Sequence, residues 1–318
     1  RDFWILENKH GARGGLLMIL SASRRTDIPN YYSEWFLNRI QEGFLYVRNP
    51  MNPHQVSRID LSPDAVDCIV FWTKNPSGML THLDRLKDYT YYFQFTLTGY
   101  GKDLEPNLPD KRKELIPAFR SLSEKIGKER VIWRYDPIFL NERYTMEYHL
   151  KAFEEIAESL TGYTEKVVIS FLDLYRKIQH NAKKLHMREM TDAEMTELAG
   201  RMVRIASGCR LTVETCAEKI DLQSLGIHHG CCIDKRLIER ISGCRLTGEK
   251  DRNQRPGCGC LESTDVGTYH TCLNGCKYCY ANFSDEKVKE QVKRYRADAE
   301  LLCSELCPDD KITIRKGK

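Results

Sequence analysis

Three cysteines stand in the stretch "CLNGCKYCYANF", which begins at Cys272. The spacing Cys272-x3-Cys276-x2-Cys279 places three thiols in one tight loop, and Gly275 lets that loop turn sharply. A thiolate is a strong ligand for soft metals, and metal binding keeps it deprotonated. Three thiolates on a four-iron cluster leave one iron without a protein ligand. Ferredoxin-type motifs add a fourth cysteine and close the cluster. Here Tyr280 follows the third cysteine, and the next cysteine is Cys303.

A second set lies just upstream. Cys258 and Cys260, with Cys232 and Cys216, make four candidate ligands for a second, closed cluster. The alternative is a structural zinc held by Cys258, Cys260, Cys276 and Cys279. Neighbouring side chains diverge, so one of Cys231 and Cys232 is expected to be a spectator. For the same reason at most one of His228 and His229 could ligate a metal, and loop surface is their default. Cys68 sits in an apolar run and reads as a small core residue. Cys303 and Cys307 are four apart beside Leu301, Leu302 and Leu306, which reads as the packed face of a helix. The chain holds 13 cysteines. That odd number, with no signal-peptide pattern in "RDFWILENKHGARGG", argues for metal binding or catalysis in a reducing, cytoplasmic compartment rather than a disulfide framework.

These residues need a scaffold. Six strand-like runs are visible: "GLLMILSAS" from Gly15, "DCIVFWTKNP", "YTYYFQFTLTGYG", "RVIWRYDPIF", "KVVISFLDLY" and "RLTVETCAE". The aromatic alternation of the third favours core packing over base stacking. Helical stripes separate most of the strands: Ile116, Phe119, Leu122 and Ile126; then Leu150, Phe153, Ala157 and Leu160. A third stripe, Met195, Leu198, Met202 and Ile205, follows a capping box from Thr191 to Glu194. Repeated strand–helix units imply parallel strands with helical crossovers. No GxGxxG follows a strand, so the expectation is a partial (βα)6 TIM-like barrel over residues 15–225. A cysteine-rich, metal-organised extension, 226–318, packs on its mouth as part of one compact unit. A polar helix and a frayed end, "PDDKITIRKGK", close it. Ligands of such folds bind at the carboxyl ends of the strands, so the segments after them should converge.

Other polar residues at those ends have two readings each. Arg24, Arg25 and Asp27 bind an anion or form an Arg–Asp pair that ties down the loop. Arg134 and Asp136 ligate or shape a turn. Lys74 contacts a ligand or is solvated. Glu214 and Glu218 act as acid/base groups or hold neighbouring arginines. The net charge of +4 neither demands nor excludes a nucleic-acid partner, and no apolar run is long enough to span a membrane.

The Cys272 loop resembles the CxxxCxφC signature of radical S-adenosylmethionine enzymes, with Tyr278 as the aromatic before the third cysteine. "FWTKNP", with Thr73, Lys74 and Asn75, and "WRYDPI", with Arg134, are similar to segments of the spore-photoproduct-lyase branch. With "SASRRTDIP" after the first strand and CxxxCxxCYA near the end, the chain is identified as a member of the domain-of-unknown-function 1848 family. The resemblance implies a [4Fe-4S] cluster on Cys272, Cys276 and Cys279 whose open iron chelates S-adenosylmethionine. It places Tyr278 near the adenine and Thr73, Lys74, Asn75 and Arg134 at the cofactor. The implied reaction is reductive cleavage of S-adenosylmethionine followed by hydrogen abstraction from an unknown, nucleic-acid-related substrate. An electron donor such as flavodoxin or ferredoxin is implied as partner. In those enzymes the cysteine loop follows strand one; here it follows strand six, so the extension must fold back over the same strand ends. Without that chemistry, the cysteines make a zinc- or cluster-stapled binding module or an electron carrier.

Overall fold

The computed structural model describes residues 18–174, 176–255 and 257–315. The first three residues of the expected first strand, the N-terminal stretch read for a signal peptide, and the last three residues lie outside them. In chain order the elements are β1 (Ile19–Ala22), α1 (Ile28–Tyr31), α2 (Ser33–Glu42), β2 (Phe44–Arg48), β3 (Gln55–Asp60), β4 (Cys68–Thr73), α3 (Ser77–Leu80), β5 (Tyr91–Thr96), α4 (Ile116–Ile126), β6 (Val131–Ile138), α5 (Met146–Leu160), β7 (Lys166–Phe171), α6 (Gln179–Lys184), α7 (Asp192–Gly208), β8 (Thr212–Cys216), β9 (His228–Gly230), α8 (Lys235–Ser242), β10 (Thr264–Asp265), α9 (Asp285–Val292) and β11 (Lys311–Arg315).

The large sheet has eight strands, all parallel, in the order β10-β1-β4-β5-β6-β7-β8-β9. Its six central strands are the six apolar runs, side by side in the order of the chain. No strand order reverses, so the sheet lacks the switch point of a doubly wound fold. It is an open sheet with β10 and β9 at its edges, and the expected partial TIM-like barrel is not confirmed by it. Both edge strands come from after residue 226.

Alternation along the strands divides the core in two, because successive side chains leave opposite faces. Leu20, Ile69, Phe71, Phe93, Phe95 and Trp133 point to one side and pack with α2, α4, α5 and α7. Ile19, Cys68, Val70, Tyr92, Ile132 and Val168 point to the other. There they meet Ile233, Leu237, Ile238, Leu246, Cys258, Cys260 and Leu261. The extension is therefore the second layer of the fold. The three expected helical stripes face the first side, and Thr191 and Glu194 cap α7 reciprocally.

Two expectations change at the C-terminus. The end that reads as frayed forms β11, parallel to β3 in a second sheet ordered β11-β3-β2. The Arg48 guanidinium grips both oxygens of Asp310 at 2.6 and 2.8 Å and holds the strand in place. Cys303 and Cys307 share no helix face, because α9 ends at Val292. Cys303 is buried in an irregular turn at φ +52°, and Cys307 is exposed.

Candidate functional site

The carboxyl ends of β1, β4, β5, β6, β7 and β8 open into one cavity of about 530 Å³. Residues 23–27 line it after β1, Trp72, Thr73 and Lys74 at the end of β4, Arg134 and Asp136 in β6, and Cys216 at the end of β8. The extension supplies the facing wall. All seven cysteines singled out as ligands line this space: Cys216, Cys232, Cys258, Cys260, Cys272, Cys276 and Cys279.

They fall into two groups. Cys272, Cys276 and Cys279 share a loop held by backbone and side-chain bonds. Cys279 N–H donates to the Cys276 carbonyl at 3.1 Å, Cys272 N–H to Asn282 Oδ1 at 2.9 Å, and Asn107 Nδ2 to the Leu273 carbonyl at 2.7 Å. Gly275 takes φ +71°, and a β-carbon there would lie 3.0 Å from Asn107 Nδ2, so both its conformation and its bareness are used. Burial pushes the Cys272 thiol well above its ordinary range, with Asp27 and the other two thiols adding to it. Burial also pushes Cys276 up to about 12, although Lys74 pulls the other way. A metal would have to displace those protons, the usual coupling of thiolate ligation to proton release.

The other group forms a chain of sulfur contacts. Cys216 Sγ lies 3.2 Å from Cys232 Sγ. Cys232 meets Cys260, and Cys260 meets Cys258. The hydrogen bond from Cys260 brings Cys258 down to about 7. Ile233 N–H points at Cys260 Sγ at 3.4 Å, and Arg134 Nη1 at Cys232 Sγ at 2.9 Å. No disulfide joins any of them. Three buried thiols and the half-buried Cys216 thus gather beside the Arg134 cation. The set proposed for zinc is split between the two groups. Cys231 does not line the cavity.

Among the described residues, no three His, Cys, Asp or Glu side chains are gathered around one point as for a single metal ion. A tetrahedral zinc with bonds of about 2.3 Å needs its sulfurs about 3.8 Å apart. A four-iron cluster takes each thiolate on a separate iron and accepts a wider set. Cys272, Cys276 and Cys279 offer three thiols of the right type for such a cluster, whereas the 3.2 Å between Cys216 Sγ and Cys232 Sγ is tighter than either arrangement.

The charged residues behave less simply than their spacing suggests. Asp27 pairs with neither Arg24 nor Arg25. It is buried and accepts from Thr73 Oγ1 at 2.7 Å, Lys74 N–H at 2.8 Å, Asn274 Nδ2 at 3.1 Å and Asn30 N–H at 3.2 Å. It thereby ties β1, β4 and the cysteine loop together, while Asn75 Nδ2 donates to Asn30 Oδ1. Burial raises the Asp27 pKa in spite of these donors. The partner of Arg25 is Asp265, at 3.8 Å. Asp265 also accepts from Ser23 Oγ at 2.6 Å and Arg24 N–H at 2.8 Å. Lys74 is not solvated: its Nζ lies 2.8 Å from Glu105, which Lys111 and the Tyr278 hydroxyl also contact. Arg134 and Asp136 do pair. Glu214 holds Lys166 at 2.9 Å, and Glu218 accepts from Phe171 N–H at 3.0 Å. Burial raises the Glu218 pKa to about 7. His228 and His229 are exposed on edge strand β9, and His229 Nδ1 meets Thr215 Oγ1 at 3.3 Å.

Sequence reasoning missed Glu105, Asp265, Asn274 and Asn282. Asn274 and Asn282 lie inside or beside the quoted motif, and their amide side chains in a cysteine loop were the available signal. Glu105 and Asp265 carried none, since Glu105 lies in an irregular loop and Asp265 in a strand of two residues, too short to show a period.

Fold and site together define an α/β protein with a parallel sheet whose strand ends face a cysteine-lined cavity. Within that class, the model of a family described as a domain of unknown function, DUF1848, matches residues 19–281, and the chain belongs to this family. No curated protein matches the chain. No helix among the described residues is long and apolar enough to cross a membrane.

Proposed function

We propose that the chain is a cytoplasmic iron–sulfur enzyme of the radical S-adenosylmethionine type, built on a six-unit partial barrel. The observation that carries this reading is the return of Cys272, Cys276 and Cys279 to the ends of the six central strands, beside Thr73, Lys74 and Tyr278. The cluster and S-adenosylmethionine, when bound, would supply an electron and a carbon-centred radical able to abstract hydrogen.

The chain's own residues supply the rest. Cys272, Cys276 and Cys279 would hold three irons, and Cys216, Cys232, Cys258 and Cys260 a second cluster. Tyr278, with its hydroxyl on Glu105 and Lys74 Nζ 5.5 Å from its ring centroid, forms a rigid wall beside Cys276. Tyr100, Leu104, Phe139 and Ile178 pack on that wall in one cluster with Cys276. Thr73 and Asn75 act through the Asp27 and Asn30 bonds, which fix the loop before a ligand arrives. The electron would come from a flavodoxin- or ferredoxin-like donor. A nucleic-acid-related substrate rests on the photoproduct-lyase likeness alone.

Anaerobic reconstitution with iron and sulfide, then electron paramagnetic resonance of the reduced protein with and without S-adenosylmethionine, tests this. The expected result is brown protein whose signal changes on adding the ligand, with that change lost in Cys276→Ala. Colourless protein carrying zinc and indifferent to the ligand would sink the reading.

A further inference from the structure

The cations that line the cavity are Arg24, Arg25, Lys74, Arg134 and Arg255. All but one are answered by a carboxylate. Lys74 shares Glu105 with Lys111, Arg134 pairs with Asp136, Arg255 with Asp173 and Arg25 with Asp265. The exception is Arg24. Among the described residues its guanidinium meets no carboxylate at ion-pair distance and no hydrogen-bond acceptor. Asp27, the acid nearest to it in the sequence, instead accepts from Thr73 Oγ1, Asn274 Nδ2 and the N–H groups of Lys74 and Asn30.

Arg24 is nonetheless held in place. Its N–H donates to Asp265 Oδ2 at 2.8 Å, which fixes the backbone that carries it. Its guanidinium lies over Trp72, 5.1 Å from the ring centroid. Trp72 is fixed in turn: Nε1 donates to Ser21 Oγ at 3.1 Å, and Ser21 Oγ to Asp265 Oδ2 at 3.1 Å. Contact with a ring engages the face of a guanidinium and leaves the N–H donors at its edge unused. Those donors form the fork that grips a carboxylate or phosphate at two points. Thr26, 5 % exposed on the same loop and also lining the cavity, likewise leaves its hydroxyl unbonded. A partly buried charge without a partner destabilises the fold until an anion answers it. The cavity of about 530 Å³ is of the size that holds a small organic ligand.

We propose that Arg24 is the anion-binding residue of this cavity, and that its fork takes the phosphate or carboxylate group of a small organic ligand whose body fills the space between the strand ends and the facing wall. The inference uses the cavity and not the cluster, so it stands apart from the reading above. Cys232 and Cys260 lie close enough to feel the Arg24 charge, and in a thiolate state they would be the competing anion.

Isothermal titration calorimetry of the full chain as purified, with inorganic phosphate, pyrophosphate and succinate as probes, tests this. At least one probe should bind saturably, and the phosphates against succinate tell which oxyanion the fork takes. Arg24→Gln should weaken the best probe by about tenfold, the size of one lost charge-assisted contact. Arg112→Gln removes the same charge from an exposed residue outside the cavity and should leave the affinity unchanged. Arg24→Lys keeps the charge without the fork and should fall between the two, and it decides the matter if the Gln variant fails to fold. The absence of saturable binding below about 10 mM for every probe overturns the inference, as does equal affinity in the unsubstituted protein and the Arg24 variants. Iron and zinc are counted in the same samples. An Arg24 variant that loses metal and keeps its anion affinity shows a guanidinium that answers the cysteines, which also overturns the inference. A metal-free chain that binds the anion through Arg24 supports it and leaves the cluster reading to its own test.

Discussion

Glu105 shows how one residue can organise a site without being a ligand. It is 1 % exposed, and its carboxylate accepts from Lys74 Nζ at 2.8 Å, Thr98 Oγ1 at 3.1 Å, Lys111 Nζ and the Tyr278 hydroxyl. Burial alone would raise its pKa; Lys74 and Lys111 outweigh burial and hold it down at about 2. Glu105→Gln keeps the shape and removes the charge, leaving two buried ammonium groups without their anion. Breaking a buried pair in this way costs about 3–5 kcal/mol. Urea denaturation of the two proteins at pH 7 should show a loss of that size, and equal midpoints would refute the role. The sequence around Glu105, "GKDLEPNL", carries no signal of this role. Only the fold brings Tyr278 to it from far along the chain.

At the scale of elements, α5 is joined to β6 by a buried histidine. His149 Nε2 meets the Phe139 carbonyl at 2.9 Å and Nδ1 meets the Tyr135 hydroxyl at 3.0 Å, a pattern that fits one neutral tautomer. Burial lowers its pKa from 6.5 to about 4, against a smaller opposing effect of the Phe139 bond. Because the folded value lies below the unfolded one, the stabilisation is complete above pH 6.5. It is lost as pH falls from there toward 4, by about 3 kcal/mol in all. Denaturation midpoints between pH 8 and 4 should therefore fall more steeply in the unsubstituted protein than in His149→Gln. Parallel curves would show that His149 titrates normally. The stripe that defines α5, Leu150, Phe153, Ala157 and Leu160, was legible because helix periodicity is local. His149, next to that stripe, was not, because its partners lie on another element.

For the whole molecule, the decisive feature is that the extension covers one face of the sheet. Ile19, Cys68, Val70, Tyr92, Ile132 and Val168 pack on residues that follow 226, and β10 pairs with β1. A chain ending at residue 225 would expose that apolar face. It should aggregate or lack near-ultraviolet circular dichroism, whereas a separate barrel domain would give a native spectrum. Contiguous apolar patches of this kind are rare on free monomers.

The order of six strands, the three helical stripes, the α7 capping box and the grouping of cysteines could all be read along the chain. Each depends on neighbours within a few residues. The open sheet, its two edge strands, the second sheet with β11, and the partners of Asp27, Glu105 and Arg134 could not. A two-residue strand such as β10 has no period to detect, and its register, Leu20 against Thr264, joins residues from opposite ends of the sequence. Spacing brings Cys272, Cys276 and Cys279 into one loop, but it took the packing of α8 and the cysteine loops against the sheet to set them over the strand ends. Local residue pattern decides which elements form; burial and charge pairing between distant segments decide what those elements hold together.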